Sequence, residues 1–370
     1  MTSPAPARRP KVATITVGTN ESRWLPACLS TLLAGNTPDL DLTVWYVDNA
    51  STDGSTTLVR DTFPAVRIIQ NDSNLGFARA NNVGMRAALA DGVDYVFLVN
   101  PDTRTPNDLI HQLTAFMENW PEYGVCGPMQ YTYTYTADVD GGPVALDEHN
   151  EWSRTALRLG EADGFVGDRP NRPSPASPTA GRAPETLEHA YVQGAALFVR
   201  AEVLRSLGLF DRVFHTYYEE TDLCRRTRWA GWRVALNLDL GIQHFGGGGT
   251  GASTYRRVQM RRNRYYFLLT DITWTWPDII SLTGRWLRED LLGRSVGGNT
   301  TPARGWAETA AASWWLLRLT PTIARRRRAH RRLRTASTAS TASTASTAST
   351  ASTASTASTA STASTARSMP

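Results

Sequence analysis

Between residues 11 and 100 the chain repeats one unit: a short apolar run, a cluster of Asn, Asp, Ser or Gly, then a stretch with helical spacing. Runs at 11–16, 42–47, 66–70 and 95–99 have the length and apolar continuity of buried strands, while 24–33, 51–63 and 77–89 carry helical periodicity. Pro26 suits a first helical turn, and Asp53 with Ser55 suits the start of the second helix. This βαβαβαβ order predicts an α/β fold with a mostly parallel, doubly wound sheet. Ligands of such sheets gather beyond the carboxyl ends of the strands, and polar clusters at 47–54, 74–82 and 100–103 fall there. Asp and Asn placed at random would fall in helices as often, so the shared placement weighs more than any single cluster.

Composition bounds the rest. With 370 residues and 41% hydrophobic content the chain can bury one large α/β core and carry an appendage. Cys28, Cys126 and Cys224 are odd in number and widely separated, which speaks against a disulfide framework or a cysteine metal site and for a reducing, cytoplasmic setting. Residues 1–10 read as a flexible N-terminus without the apolar segment of a secretory leader, and no run of about 18 apolar residues marks a membrane span. The net charge is +5, but residues 325–334 hold seven arginines, which leaves the remainder at −2. That run is either a solvated helix end or a match for anionic lipid headgroups, with nucleic acid the least favoured partner.

Beyond residue 100, 131–135 and 191–199 read as strands, 201–210 and 221–230 as helices. Residues 138–184, rich in Gly, Pro and charge, read as a long loop excursion that caps the site. Residues 11–267 form the catalytic domain in this reading, and 268–334 a helical extension with amphipathic helices at 279–292 and 306–319. The Trp and Arg of those helices either pack on the domain or lie in a membrane interface. Residues 335–364 are ten copies of Thr-Ala-Ser, which cannot bury enough apolar surface to order themselves, so 335–370 is expected to be a disordered tail.

The polar clusters divide the chemistry of transferring a group from a nucleotide. Asp48 and Asn49 end the second strand, beside Asn20 and Glu21 after the first, and can bond a base or ribose. Asn74, Gly76, Phe77, Arg79 and Asn82 surround a helix start, an anion site in which Gly76 permits close backbone approach. Asp102 follows Asn100 at the end of the fourth strand, and a carboxylate there suits Mg²⁺ or Mn²⁺, with His244 as a second ligand. Glu219, Glu220 and Asp222 crowd a helix N-terminus, where mutual repulsion raises at least one pKa into the range of a general base.

Read in order, 47–54, 74–82, 100–103, Gln193-Gly194-Ala195-Ala196, 219–226, His244 and Arg262-Asn263 resemble glycosyltransferase family 2, its rhamnosyltransferase-like members most of all, over residues 11–267. The resemblance implies an inverting enzyme of the GT-A, Rossmann-like fold that takes a sugar from a nucleoside diphosphate. It implies Asp48 at the nucleoside, Asp102 in a DXD-like metal motif with His244 nearby, Glu220 as base and Asp222 as the reserve. Three positions depart from the pattern: Thr19-Asn20 replaces a Tyr-Asn pair, the base is Glu rather than Asp, and Asn100 occupies the first DXD position.

The expectation is therefore an inverting transferase moving rhamnose or another deoxyhexose from a nucleotide-sugar donor. The acceptor is a hydroxyl of a glycan, a lipid-linked molecule or a secondary metabolite, and a divalent cation assists. The setting is the cytoplasm, with peripheral contact at the inner face of the plasma membrane as a variant. The alternative is a catalytically silent nucleotide-sugar-binding scaffold at the membrane surface. A dinucleotide-dependent oxidoreductase is disfavoured, since 17–21 lacks the glycine pattern that a pyrophosphate turn needs.

Overall fold

The computed structural model describes residues 8–132, 186–188, 191–245, 253–294 and 299–364. The expected 138–184 excursion lies outside the described residues. The first half follows the sequence pattern closely: β1 Lys11–Gly18, α1 Leu25–Ala34, β2 Asp41–Asp48, α2 Ser55–Thr62, β3 Arg67–Gln70, α3 Phe77–Ala90 and β4 Tyr95–Val99. The order β3-β2-β1-β4 is parallel throughout, as a doubly wound fold requires.

The sheet continues with strands the sequence announced only in part. After β5 Thr103–Arg104 and α4 Leu109–Asn119 come β6 Tyr123–Thr132, β7 Thr186–Glu188, β8 Ala196–Arg200, α5 Ala201–Leu207, α6 Glu219–Trp229 and β9 Arg233–His244. β8 lies antiparallel between β4 and β6, β9 runs parallel to β6, and β5 and β7 add antiparallel pairings to β9. The strand expected over 191–199 begins only at Ala196, because Gln193 to Ala196 is a turn closed by the Ala196 amide on the Gln193 carbonyl at 3.2 Å.

Both sheet faces are covered, and β4 shows how. Tyr95 and Phe97 point to the layer made by Leu25, Leu29 and Leu32 of α1 with Ile110 and Leu113 of α4. Val96 and Leu98 point to the other layer, made by Met85 and Ala88 of α3, Leu204 of α5 and Leu223 of α6. Helix α3 lies so close that a Cβ on Gly84 would come within 2.6 Å of Ile15. All three cysteines are buried and free.

Helices α7 Thr254–Thr270, α8 Trp276–Leu291 and α9 Pro302–Ser364 complete the chain. The expected boundary at residue 267 falls inside α7. Ile279, Leu282 and Trp286 of α8 join the same buried cluster as α3 and α6, and each such side chain contributes about 1.5–3 kcal/mol. A buried ionic seam binds α9 to α7 and α8. Glu308 meets Arg257 at 2.8 Å and Arg261 at 2.6 Å, while Asp290 meets Arg261 at 3.1 Å and Arg264 at 2.9 Å. The backbone of α9 runs as helix from Pro302 into the Thr-Ala-Ser copies, to Ser364.

Candidate active site

The first two strands end side by side, Gly18 beside Asp48, and their loops are stitched together. The Asn20 and Glu21 amides donate to Ser51 and Ser55 hydroxyls at 2.8 and 3.0 Å, and the Thr52 amide donates to Asn20 Oδ1 at 2.7 Å. These bonds hold Asn20 and Ala50 at φ of 60° and 66°, conformations that cost a residue with a Cβ on the order of 1–3 kcal/mol. Asp48 is fully buried, its Oδ1 accepting from the Tyr46 hydroxyl at 3.0 Å and its Oδ2 from the Ser51 amide at 3.1 Å. Assigned to the nucleoside from sequence, Asp48 instead holds the turn; Asn20 is exposed and Glu21 half-buried at this edge. Burial, then the charges of Asp102 and Asp53, push the Glu21 carboxyl up to about 7, so Glu21 and Asp102 share one electrostatic neighbourhood.

Asn49 and Asn74 fasten the end of β2 to the start of α3. Asn49 Oδ1 accepts from the Leu75 amide at 2.9 Å, and its Nδ2 donates to Asn74 Oδ1 at 2.8 Å, which also takes the Gly76 amide. Gly76 sits at φ 77°, and a Cβ there would lie 2.5 Å from the His215 ring. His215 pairs with the Tyr255 hydroxyl at 2.7 Å; burial, then the Arg262 and Arg79 charges, depress its pKa and keep the ring neutral near pH 7. Arg79, Arg262 and the N-terminus of α3 thus make this corner electropositive. Asn82 does not belong to it. Its amide is a buried clamp, donating to the Phe210 carbonyl at 2.9 Å and accepting from the Phe210 amide at 3.0 Å. Phe77 stacks on Phe210 and lies beside Gly194.

Asp102 and His244 meet as the sequence predicts. β5 and β9 pair Thr103 with His244, which sets His244 Nε2 3.3 Å from Asp102 Oδ1. His244 Nδ1 lies 2.9 Å from Gln130 Oε1, which fixes the ring beside Asp102. A carboxylate oxygen and an imidazole nitrogen side by side form a donor pair that can hold a divalent ion. Among the described residues no cluster of three His, Cys, Asp or Glu forms a complete cage. That matches the way Mg²⁺ is commonly held, by one or two protein groups with substrate phosphates supplying the rest.

The acidic helix α6 opens on strained backbone, Tyr217 and Tyr218 at φ 69° and 75°, braced by Asn263 Nδ2 on the Thr216 and Tyr217 carbonyls, each at 2.7 Å. Glu219 and Glu220 each keep a buried carboxylate oxygen without a hydrogen-bond partner. Burial pushes Glu220 up to about 7 against the pull of the Glu220, Thr221 and Gly194 amides, and burial with the Glu220 charge raises Glu219 further. Asp222 is different. Arg225 and Arg226 grip its two oxygens at 2.6 and 2.8 Å, and although burial opposes ionisation their charges hold its pKa well below the carboxylate range. It is a structural anchor turned toward α7, which removes it as a reserve base.

Residues 14–143 match the Glycosyl transferase family 2 model. Over that stretch the chain is similar to glycosyl transferase family 2. The same curated protein from two strains of Mycobacterium tuberculosis, CDC 1551 / Oshkosh and ATCC 25618 / H37Rv, is 26% identical over 243 residues, 62% of this chain and 75% of the relative; it is an N-acetylglucosaminyl-diphospho-decaprenol L-rhamnosyltransferase. Among solved structures, the mannosyltransferase PcManGT from Pyrobaculum calidifontis, in complex with GDP-Man and Mn²⁺, is 18% identical, covers 91% of this chain and 85% of its own, and has a TM-score of 0.49. S. aureus TarS 1–349 is 12% identical, covers 77% and 75%, and has a TM-score of 0.45.

The matched stretch contains Asp48 and Asp102 and ends before Gln193, Glu220 and His244, so the latter are placed by geometry. The Asn100 amide donates to the Ala195 carbonyl at 3.0 Å, and Gly194, next to Ala195, borders Glu220. Asp102 and Glu220 therefore flank one turn at the carboxyl edge of the sheet. Asn100 Oδ1 and Gln193 Oε1 are also buried there without partners. Sequence reasoning missed His215 and Tyr255, whose relation to Gly76 arises only in three dimensions.

Proposed function

We propose that this glycosyltransferase transfers rhamnose or another deoxyhexose, with inversion, from a nucleoside diphosphate to a hydroxyl of a lipid-linked acceptor. Glu220 carries the reading: a carboxyl raised to about 7, with one buried oxygen unpartnered, beside the turn that Asp102 flanks. A base of that pKa is ionised in a useful fraction at neutral pH and can take the acceptor proton as the anomeric carbon is attacked. The electropositive corner of Arg79, Arg262 and the α3 N-terminus orients the diphosphate, and Asn20 and Glu21 line the nucleoside edge. A divalent ion held by Asp102 and His244 would neutralise charge on the departing diphosphate. The sugar and the lipid-linked acceptor are supported by the name of the mycobacterial relative. With transferases as relatives, the silent-scaffold reading has no observation in its favour.

The test is a donor panel scored by release of nucleoside diphosphate, with and without an N-acetylglucosaminyl-diphospho-polyprenol acceptor. Acceptor-dependent turnover with dTDP-rhamnose, product of inverted anomeric configuration, and its loss in Asp102→Ala support the assignment. Turnover only with another donor, or retained configuration, overturns it.

A further inference from the structure

The large exposed apolar side chains of this protein are not scattered. Among the described residues, eight of nine (all but Tyr255) belong to α8, α9 or the start of the turn between them. Isolated surface hydrophobics need no account, whereas a concentration on two packed helices does. At 100° per residue, Trp306, Trp314, Leu317 and Pro321 of α9 fall within one narrow arc. Glu308, Thr309, Ala312 and His330 fall on the opposite, buried side. Trp306, Trp314 and Leu317 are 62%, 61% and 70% exposed. On α8, Trp276, Ile280 and Leu287 make a second exposed stripe, and the exposed acid Glu289 lies around the helix from it. Further along α9 the exposed arc becomes basic, with Arg325, Arg328 and Arg332 in phase with the tryptophans. Arg318 stands over the Trp314 ring and Arg327 over Trp276, and no Asp or Glu follows Glu308 in the sequence.

We infer that this face of α8 and α9 is a docking surface for a bilayer bearing anionic headgroups. Tryptophan favours the headgroup boundary, exposed leucine and isoleucine enter the acyl edge, and arginines on the same arc meet negative phosphates. Nucleic acid would match the arginines but leave Ile280, Leu287 and Leu317 in water. A second copy of the chain would set one arginine row against another. The face lies on the protein without crossing the bilayer, since no helix among the described residues is long and apolar enough to span a membrane. It is also fixed to the catalytic edge. Trp315 of α9 stacks on Arg262 at 4.5 Å, and Arg262 donates to the Val213 carbonyl at 3.0 Å in the loop that leads to Glu219 and Glu220. Docking would thus hold the site at a set height over a lipid-linked acceptor; this purpose rests on the proposed function, while the binding itself does not.

The full chain is sedimented with acceptor-free vesicles of phosphatidylcholine, with and without phosphatidylglycerol, at physiological and high salt. Binding is expected to the anionic vesicles, weakened by salt. Arg325→Gln, Arg328→Gln and Arg332→Gln should each weaken partitioning roughly fivefold. The pair Trp306→Ser and Trp314→Ser should weaken it at least about tenfold. It should also reduce quenching of Trp fluorescence by brominated lipid, leaving that of Trp276. These side chains lie outside the catalytic edge, so unchanged donor hydrolysis in the variants confirms that they fold. Equal partitioning of wild type and variants, no binding to anionic vesicles, or tighter binding to single-stranded RNA than to vesicles overturns the inference. Vesicle binding without acceptor-dependent turnover would sink the proposed function alone; turnover without vesicle binding would sink only the docking surface.

Discussion

Two populations of buried carboxylate share this molecule, and α6 carries both within four residues. Asp222, like Asp290 and Glu308 elsewhere in the helical seam, has guanidinium groups within salt-bridge distance, and for Asp222 their charges hold the carboxylate ionised. Glu219 and Glu220, a turn earlier on the same helix, keep unpartnered oxygens and are pushed toward the protonated form. The chain has 39 basic residues against 34 acidic ones, so the missing partner at the sheet edge is a local arrangement and not a shortage of arginine. Pairing makes a carboxylate scaffolding. Leaving it buried and unpaired keeps it available for chemistry at some cost in stability.

The sharpest way to break the comparison is to neutralise one member of each population. Glu220→Gln should lower kcat by roughly 10²–10⁴-fold, the range for losing a general base, while the melting temperature holds or rises. Asp222→Asn should do the reverse. It leaves Arg225 and Arg226 as poorly compensated buried charges and should cost about 3–5 kcal/mol, read by denaturant unfolding, with kcat per folded molecule changed less than about tenfold. If Asp222→Asn proved stable and inactive, the division between scaffold and site would collapse.

The same division explains what was legible in the sequence. β1 to β4 and their helices follow local periodicity, and the Asp48, Gly76 and Asp102 clusters mark the strand-end edge because strand ends are visible in one dimension. Helix α7 was not: nothing in the sequence singles out Arg257, Arg261 and Arg264, whose burial depends on Glu308 and Asp290, distant residues that only the fold brings to them. Asn82 was read as a ligand for the same reason in reverse, since its partner Phe210 lies 128 positions away. β9 was hidden by Asn237 and Asp239, which break its apolar run, although His244 at its end was singled out. Fold class and the meeting of Asp102 with His244 were thus recoverable from pattern, while the distinction between Asp222 and Glu220 needed the arginines to be located.

A smaller effect sharpens the corner between the two populations. Gly76→Ala sets a Cβ against the His215 ring at a positive φ, and should cost roughly 1–3 kcal/mol by the strain of that conformation alone. Because His215 is shared with Tyr255, and its loop with Arg262, the variant should also raise the donor KM more than it lowers kcat. Measuring both separates a disturbed diphosphate corner from a merely weakened fold.

The smallest effect joins both populations in one titration. Glu220 has a folded pKa of about 7, above the usual 4.3 of an unfolded glutamate, so the native state binds more protons than the unfolded one between those values. The stability this group contributes is therefore present at low pH and declines as pH rises through that window, by at most about 1.4 kcal/mol per unit. Asp222 has the opposite sign: its contribution is present above the unfolded value near 3.9 and is lost only as pH falls through its depressed folded pKa. Between pH 5 and 7 Asp222 is accordingly silent, and kcat/KM should rise toward a plateau as Glu220 ionises while the melting temperature slips downward. In Glu220→Gln the downward slope should flatten, with the remainder set by Glu219 and Glu21 against His215 and His330, whose depressed pKa values make their contribution rise with pH. A melting-temperature slope left unchanged by Glu220→Gln, with wild-type activity flat across that interval, would show that Glu220 is ionised and paired, and would place it with Asp222 in the scaffold.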